Sequence, residues 1–231
     1  MIRIRHVAET GSTNADLLAA ARDGAPEGSW LIADRQTAGQ GRLGRPWRSP
    51  TGNLHASTII RLLAGDPPAP TLALVAGVAL HEVVTAWAGD VRLALKWPND
   101  LLADEAKLAG ILLQGQGDAV VAGFGVNLAA HPRDLGRAAT SLAALAGAAP
   151  RPAALLDELA PAFRRWLACW RGQGLAPVRT AWLARAHALG TPLATGGREG
   201  LFDGLTAEGA LRLRLADGSV ETVSAGDVAL A

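Results

Sequence analysis

The chain has 231 residues, of which 49% are hydrophobic, so it can bury a sizeable core as one large domain with a small appendage. Its 22 basic and 21 acidic residues leave a formal charge of +1, which excludes a bulk basic field for nucleic acid or an anionic membrane. Any anion site must therefore be local. A single cysteine, Cys169, excludes an internal disulfide and a cysteine metal cluster and suits a reducing cytosol.

The first 188 residues alternate between predicted strands and helices, which indicates a mixed or mainly antiparallel sheet with helices packed on one side. Period-two patterns predict strands at 2–7, 29–35, 53–62, 91–96, 101–103, 107–114 and 119–127. Helical spacing of apolar residues predicts helices at 15–22, 72–87, 151–171 and 178–188. The N-terminal strand pattern is unlike an export signal, and the apolar helix from residue 72 is short for a membrane span.

The last part of the chain has a different sequence pattern. Short alternating pieces at 200–205, 210–215 and 220–224, with a hairpin signal at Asp217-Gly218, predict a small all-β domain. The sequence thus predicts two domains, at 1–188 and 189–231.

Residues 36–47, QTAGQGRLGRPW, form the most informative segment. Two arginines beside flexible glycines suit bidentate contact with an anion, and Trp47 offers a flat face for a ring, so a nucleotide fits both. Gly39 to Gly44 also match the dinucleotide-binding G-x-G-x-x-G, but Arg45-Pro46 follows where that fold needs a helix. A P-loop is excluded because no Gly-Lys-Ser/Thr is present. Taken alone, the segment fits a surface loop with incidental arginines equally well.

Five segments, taken in order, resemble the motifs of biotin protein ligases: 9–14, 36–47, 96–100, 107–112 and 123–128. The resemblance covers nearly the whole chain, because the C-terminal β domain is similar to the SH3-like cap of that family. It implies an α+β fold of the class II synthetase-like type. Since the chain starts at the first strand of the catalytic domain, we expect a short form without the N-terminal DNA-binding domain.

The resemblance implies two half-reactions. ATP and biotin give biotinyl-5′-adenylate and pyrophosphate, and a lysine of a biotin carboxyl carrier domain then attacks the mixed anhydride. The expected substrates are ATP and biotin with Mg²⁺, and the expected location is the cytoplasm, with no nucleic acid or membrane partner. A homodimer stays open.

The resemblance also assigns roles to individual residues. Catalysis is implied for Lys107, Arg42 and Asp100, with Asp100 also organising Mg²⁺ or orienting the incoming amine. Biotin contacts are implied for Ser12, Thr13, Asn14, Gln36, Gly39, Gln40, Gly41, Arg42, Lys107 and Gly110. Nucleotide contacts are implied for Arg42, Arg45, Trp47, Lys107 and Asn127. The chain departs from the family pattern at Gln40, where a further arginine is common, so the loop carries one positive charge fewer.

Three other functions compete with this interpretation. A lipoate or octanoate ligase or transferase of the same fold also joins an acid to a carrier lysine. A transcriptional repressor would need a DNA-reading element that the sequence lacks. A non-catalytic biotin-binding module would not need Lys107, Arg42 and Asp100 together.

Overall fold

The computed structural model describes residues 2–133 and 138–230. Met1 and Ala231, the outer ends of the two predicted domains, lie outside the described residues. The seven strands of the main sheet are β1 (Arg3–Thr10), β2 (Ser29–Gln36), β3 (Leu54–Arg61), β4 (Leu93–Lys96), β5 (Asp100–Ala103), β6 (Ala106–Gln116) and β7 (Ala119–Val126). The helices are α1 (Thr13–Arg22), α2 (Leu72–Thr85), α3 (Leu142–Ala146), α4 (Pro152–Gln173) and α5 (Leu175–Leu183).

The main sheet has the order β1-β2-β3-β7-β6-β5-β4. β1 and β2 are parallel because α1 crosses between them, and the other neighbours are antiparallel because short turns join most of them. The predicted mixed sheet is confirmed. None of the described helices is long and apolar enough to cross a membrane.

Two apolar clusters cover opposite faces of the sheet. The larger contains α2, α4 and α5, where Trp30, Phe124 and Phe163 pack their rings together with centroids 5.7–6.0 Å apart. The smaller cluster is built by α1, whose Leu17 and Ala21 pack on β2, β3 and β7. The expectation that the helices share one face is therefore wrong for α1, which brings its own first turn to the opposite face.

The second sheet contains β8 (Pro192–Thr195), β9 (Arg198–Leu205), β10 (Leu211–Arg214), β11 (Val220–Val223) and β12 (Ala229–Leu230). All its pairings are antiparallel, in the order β11-β10-β9-β8-β12. The sequence predicted β9, β10 and β11 but not the short β8 and β12. The predicted domain boundary at residues 188 and 189 stays a prediction.

Several predicted boundaries differ from the structure. The clearest case is α5, which spans Leu175–Leu183 although the sequence predicted 178–188. The chain leaves the helix at Ala184 and turns through Arg185, whose carbonyl accepts the backbone N–H of Leu95 at 2.8 Å. This tertiary contact with β4 ends the helix earlier than its apolar pattern indicates.

Candidate functional site

A cavity lies on the α1 face of the sheet, where the five segments at 9–14, 36–47, 96–100, 107–112 and 123–128 come together. Its lining includes most of the predicted site residues, namely Ser12, Thr13, Asn14, Gln36, Gln40, Gly41, Arg42, Arg45, Trp47, Asp100, Lys107 and Gly110. Strand ends converge here because β5, β6 and β7 are adjacent and α1 begins directly after β1. The structure therefore gathers residues that are up to about 100 positions apart in sequence.

The deep end of the cavity is formed by the start of α1. Ser12 is the N-cap, and its hydroxyl accepts the backbone N–H of Ala15 at 3.4 Å. Thr13 donates its backbone N–H to the Gln36 side-chain oxygen at 2.8 Å, while Gln36 donates its amide N–H to the Ser49 hydroxyl at 3.1 Å. Only Ser12 is a cap, so the side chains of Thr13 and Asn14 are available for other contacts.

The glycine-rich segment closes on itself. Trp47 donates its backbone N–H to the Gly39 carbonyl at 2.8 Å, and Gly41 donates to the Arg45 carbonyl at 2.7 Å. A Cβ on Gly39 would lie 2.7 Å from the Trp47 carbonyl oxygen, so only glycine fits there. The loop is thus a tight hairpin whose tip carries Arg42.

Trp47 lies over two glycines that face each other across β6 and β7. Gly110 pairs with Gly125. A Cβ added to Gly110 would lie 3.2 Å from the Trp47 indole, and a Cβ added to Gly125 would lie 2.5 Å from it. Two glycines of β7 allow close contacts, because the Asn14 side chain lies against Gly123 and the indole against Gly125.

Lys107 and Asp100 form an ion pair in the wall of the cavity. Both are buried, at 8% and 6% exposure. Lys96 Nζ lies 3.8 Å from the second Asp100 oxygen, and Lys107 Nζ lies 5.6 Å from the centroid of Trp47. Lys96 and Lys107 are the only lysines of the chain, so both compact, titratable cations sit beside one carboxylate.

Two arginines bring further positive charge to the mouth of the cavity. Arg42 lies 3.4 Å from the Asn99 side-chain oxygen and 3.6 Å from Asp227, and Arg45 forms an ion pair with the same Asp227. Burial lowers the pKa of the Arg42 guanidinium, Asp100 opposes this, and the charge of Arg45 lowers it further. The effect of the Arg45 charge on the pKa of Arg42 indicates a cation cluster that an anion would stabilise.

Two predicted site residues do not line this cavity. Gly39 serves the closure of the loop, as described above. Asn127 is 3% exposed and donates its amide N–H groups to the carbonyls of Thr140, at 3.0 Å, and Lys107, at 3.5 Å. In this structure Asn127 therefore holds the backbone of Lys107 and does not reach the cavity with its side chain.

The structure also places residues at the site that sequence reasoning did not single out. Asp227 comes from the loop between β11 and β12 of the C-terminal sheet, and Asn99 stands in the recognised motif 96–100 without an assigned role. Ser57 on β3 and Gln114 on β6 both form hydrogen bonds with Asn14. For Ser57 and Gln114, the available signal in the sequence was a polar residue within a mostly apolar strand.

The chain is similar to known proteins along nearly its whole length. Residues 10–128 match the biotin/lipoate A/B protein ligase family, and residues 195–230 match the biotin protein ligase C-terminal domain. The biotin--[acetyl-CoA-carboxylase] ligase of Paracoccus denitrificans is 42% identical over 90% of this chain and 92% of its own length. The ligase of the same name from Mycobacterium tuberculosis is 36% identical over 96% of this chain and 86% of its own length.

The fold is also that of a solved ligase. The biotin protein ligase from Aquifex aeolicus, solved in complex with biotin and ATP, superposes with a TM-score of 0.88 over 100% of both chains at 23% identity. With two long relatives above 30% identity and a family match over half its length, the chain belongs to the biotin/lipoate A/B protein ligase family and carries the C-terminal domain of biotin protein ligases.

Proposed function

We propose that this protein is a biotin protein ligase, which activates biotin with ATP and transfers it to a lysine of a carboxylase carrier. The observation that carries the proposal is the cation cluster of Arg42, Arg45 and Lys107 around one cavity whose deep end is polar. The names of the Paracoccus and Mycobacterium relatives support biotin as the acid and an acetyl-CoA carboxylase as the source of the carrier.

In the first half-reaction, a carboxylate oxygen of biotin attacks the α-phosphorus of ATP. A new P–O bond forms, the bond to the bridging oxygen breaks, and pyrophosphate leaves with the electron pair. Two anions must approach each other, so fixed positive charge lowers the barrier. We assign the supply of that charge to Arg42 and Lys107, which line the cavity, and Arg45 stands next to Arg42 at its mouth.

In the second half-reaction, the carrier amine attacks the acyl carbon of biotinyl-adenylate, and AMP leaves. No enzyme nucleophile is required, and Cys169 lies in α4, far along the chain from every motif. The amine must lose a proton during the attack, and a carboxylate held in the cavity wall is suited to orient the amine. We assign this orienting role to Asp100, together with the placement of Lys107.

The same residues do not fit a protein-held magnesium ion. The Asp100 carboxylate is engaged by Lys107 and lies 3.8 Å from the Lys96 ammonium. Within residues 2–133 and 138–230, no three His, Cys, Asp or Glu side chains come together to hold a metal. Mg²⁺ commonly binds nucleotide phosphates and keeps several waters, so we expect it to enter the site bound to ATP.

The remaining expectations from the sequence stay proposals. We propose a cytoplasmic enzyme that binds neither nucleic acid nor membrane, and a homodimer stays open. The near-zero formal charge of +1 supports the absence of a nucleic acid partner.

Biotin-dependent ATP–pyrophosphate exchange tests the first half-reaction. We expect exchange with biotin but not with lipoate or octanoate, and a loss of at least about 100-fold in Lys107→Met, which keeps the length of the side chain but removes its charge. Arg198→Gln is the matched control, because it removes a cation whose side chain is 63% exposed in the C-terminal sheet. Exchange with lipoate would assign the protein to the sister activity, and no exchange with any acid would refute the proposal.

A further inference from the structure

Beneath the deep end of the cavity runs a buried chain of polar side chains. Thr13, Asn14 and Ser57 are 3%, 5% and 0% exposed and contact one another in that corner of the sheet. Thr13 and Asn14 line the cavity, whereas Ser57 lies behind them on β3. Buried hydroxyl and amide groups must be satisfied, so the direction of each hydrogen bond in this chain can be worked out.

Asn14 fixes the first direction. One group of its side chain lies 3.2 Å from the Leu112 carbonyl oxygen, which can only accept, so this group is the amide nitrogen. The same nitrogen also donates to the Gln114 side-chain oxygen at 2.8 Å. The remaining Asn14 oxygen therefore faces Ser57, at 2.6 Å, and Ser57 must donate its single hydroxyl hydrogen to it.

Ser57 in turn fixes the direction of Thr13. The two hydroxyl oxygens are 2.7 Å apart, and the hydrogen of Ser57 is already used, so Thr13 donates to Ser57. The alternative would direct the Thr13 hydrogen to Gln36 and leave two buried oxygens 2.7 Å apart with no hydrogen between them, which is the costlier arrangement. The Thr13 oxygen is thereby left as an acceptor.

Gln36 presents a second acceptor beside it. Its side-chain oxygen accepts the backbone N–H of Thr13 at 2.8 Å and lies 3.0 Å from the Thr13 hydroxyl oxygen. Since the Thr13 hydrogen points to Ser57, two acceptor oxygens stand side by side where both residues line the cavity. A ligand that brings an N–H to this place relieves their repulsion, and a ligand that brings an oxygen adds to it.

We infer that Ser57 is a positioning residue that orders the proton of Thr13, so that the cavity accepts an N–H donor at this point and rejects an oxygen. The inference rests on the proposed function, in which the ureido ring of biotin supplies the N–H. Ser57 contacts no ligand itself and acts through the hydroxyl of Thr13. Gln114 supports it by holding the Asn14 amide in the required orientation.

The test compares biotin with its two cyclic carbamate analogues, in each of which a ring oxygen replaces one ureido N–H. Titration calorimetry without ATP gives each affinity. We expect the wild-type protein to bind one of the two analogues at least about 100-fold more weakly than biotin. In Ser57→Ala the Thr13 hydroxyl can turn its hydrogen toward the ring oxygen, so this ratio should fall to about 10-fold or less, while biotin itself weakens about 10-fold.

Thr58→Val is the matched control, because it also deletes one buried hydroxyl, from the next residue of β3, where Thr58 donates to the Ser29 carbonyl at 3.2 Å. In Thr58→Val the ratio of the affinity for biotin to that for the weaker analogue should equal the wild-type ratio. If Ser57→Ala weakens biotin and both analogues by one common factor, or if the wild type does not discriminate, the inference is wrong although the proposed function stands. If the wild type binds no biotin, both fail. Should Ser57→Ala not fold, Ser57→Cys, whose sulfur is a weak hydrogen-bond acceptor, must narrow the ratio in the same direction, and an unchanged ratio there refutes the inference.

Discussion

A single methyl group at Gly125 should disturb the nucleotide side of the site. In Gly125→Ala the new Cβ would lie 2.5 Å from the nearest carbon of the Trp47 indole and 2.8 Å from its nitrogen. Gly125 sits in β7, which is hydrogen-bonded to β3 on one side and β6 on the other, so its backbone cannot retreat. The ring must move instead.

The size of that movement follows from ordinary contact distances. To reach a Cβ separation of 3.4 Å, the indole has to withdraw by about 0.9 Å. If Trp47 packs against adenine, a displacement of this size costs on the order of 10- to 100-fold in kcat/KM for ATP. The KM for biotin should change little, because Gly125 lies beneath the indole and the polar deep end is formed by Thr13 and Gln36.

Pyrophosphate exchange at varied ATP and at varied biotin separates the two effects. Gly115→Ala is the matched control, because it places a methyl group on the neighbouring strand 3.8 Å from the Ala119 carbonyl oxygen, which is an ordinary van der Waals contact. An unchanged KM for ATP in Gly125→Ala, or an equal rise in both KM values, would refute the assignment of Trp47 to the nucleotide.

Three further outcomes are expected. Asp100→Asn should lower the free energy of unfolding by about 3 kcal/mol in urea titration, because it removes the charge beside the buried ammonium of Lys107 and the partly buried ammonium of Lys96. Glu221→Gln, in an exposed pair, should cost less than about 1 kcal/mol, and equal losses would contradict this. Amides of residues 36–47 should exchange more slowly with biotinyl-adenylate bound, and equal exchange would show that the loop is already ordered. Burial lowers the pKa of His55, so the unfolded chain takes up a proton that the native state does not, and stability is lost as the pH falls below about 6.5. His55→Gln should reduce the change of the free energy of unfolding with pH by up to about 1.4 kcal/mol per pH unit, measured in unfolding titrations at pH 5.5 and 7.5. An identical pH dependence in the variant would show that His55 is protonated in the native state.

The site was more predictable from the sequence than the fold around it. Its motifs stand at strand ends, where local signals such as glycines, a proline and charged residues report directly on turns. The placement of α1 on the opposite face had no such signal, since an amphipathic helix fits either face of a sheet that has two apolar sides. The early end of α5 likewise depends on a contact with Leu95, almost 90 residues earlier in the chain.

The residues that escaped prediction share one physical property: they act through a partner that is distant in sequence. Ser57 is an ordinary strand residue until α1 places Thr13 and Asn14 against it, 44 and 43 positions away, respectively. Asp227 is a loop residue between β11 and β12, and only the folded C-terminal sheet brings it to Arg42 and Arg45. Because Asp227 is an anion among cations that we assign to a phosphate, the C-terminal sheet contributes charge to the catalytic cavity as well as packing. A local motif can therefore identify the groups that touch a substrate, whereas the groups that set their protons and charges become visible only when the chain is folded.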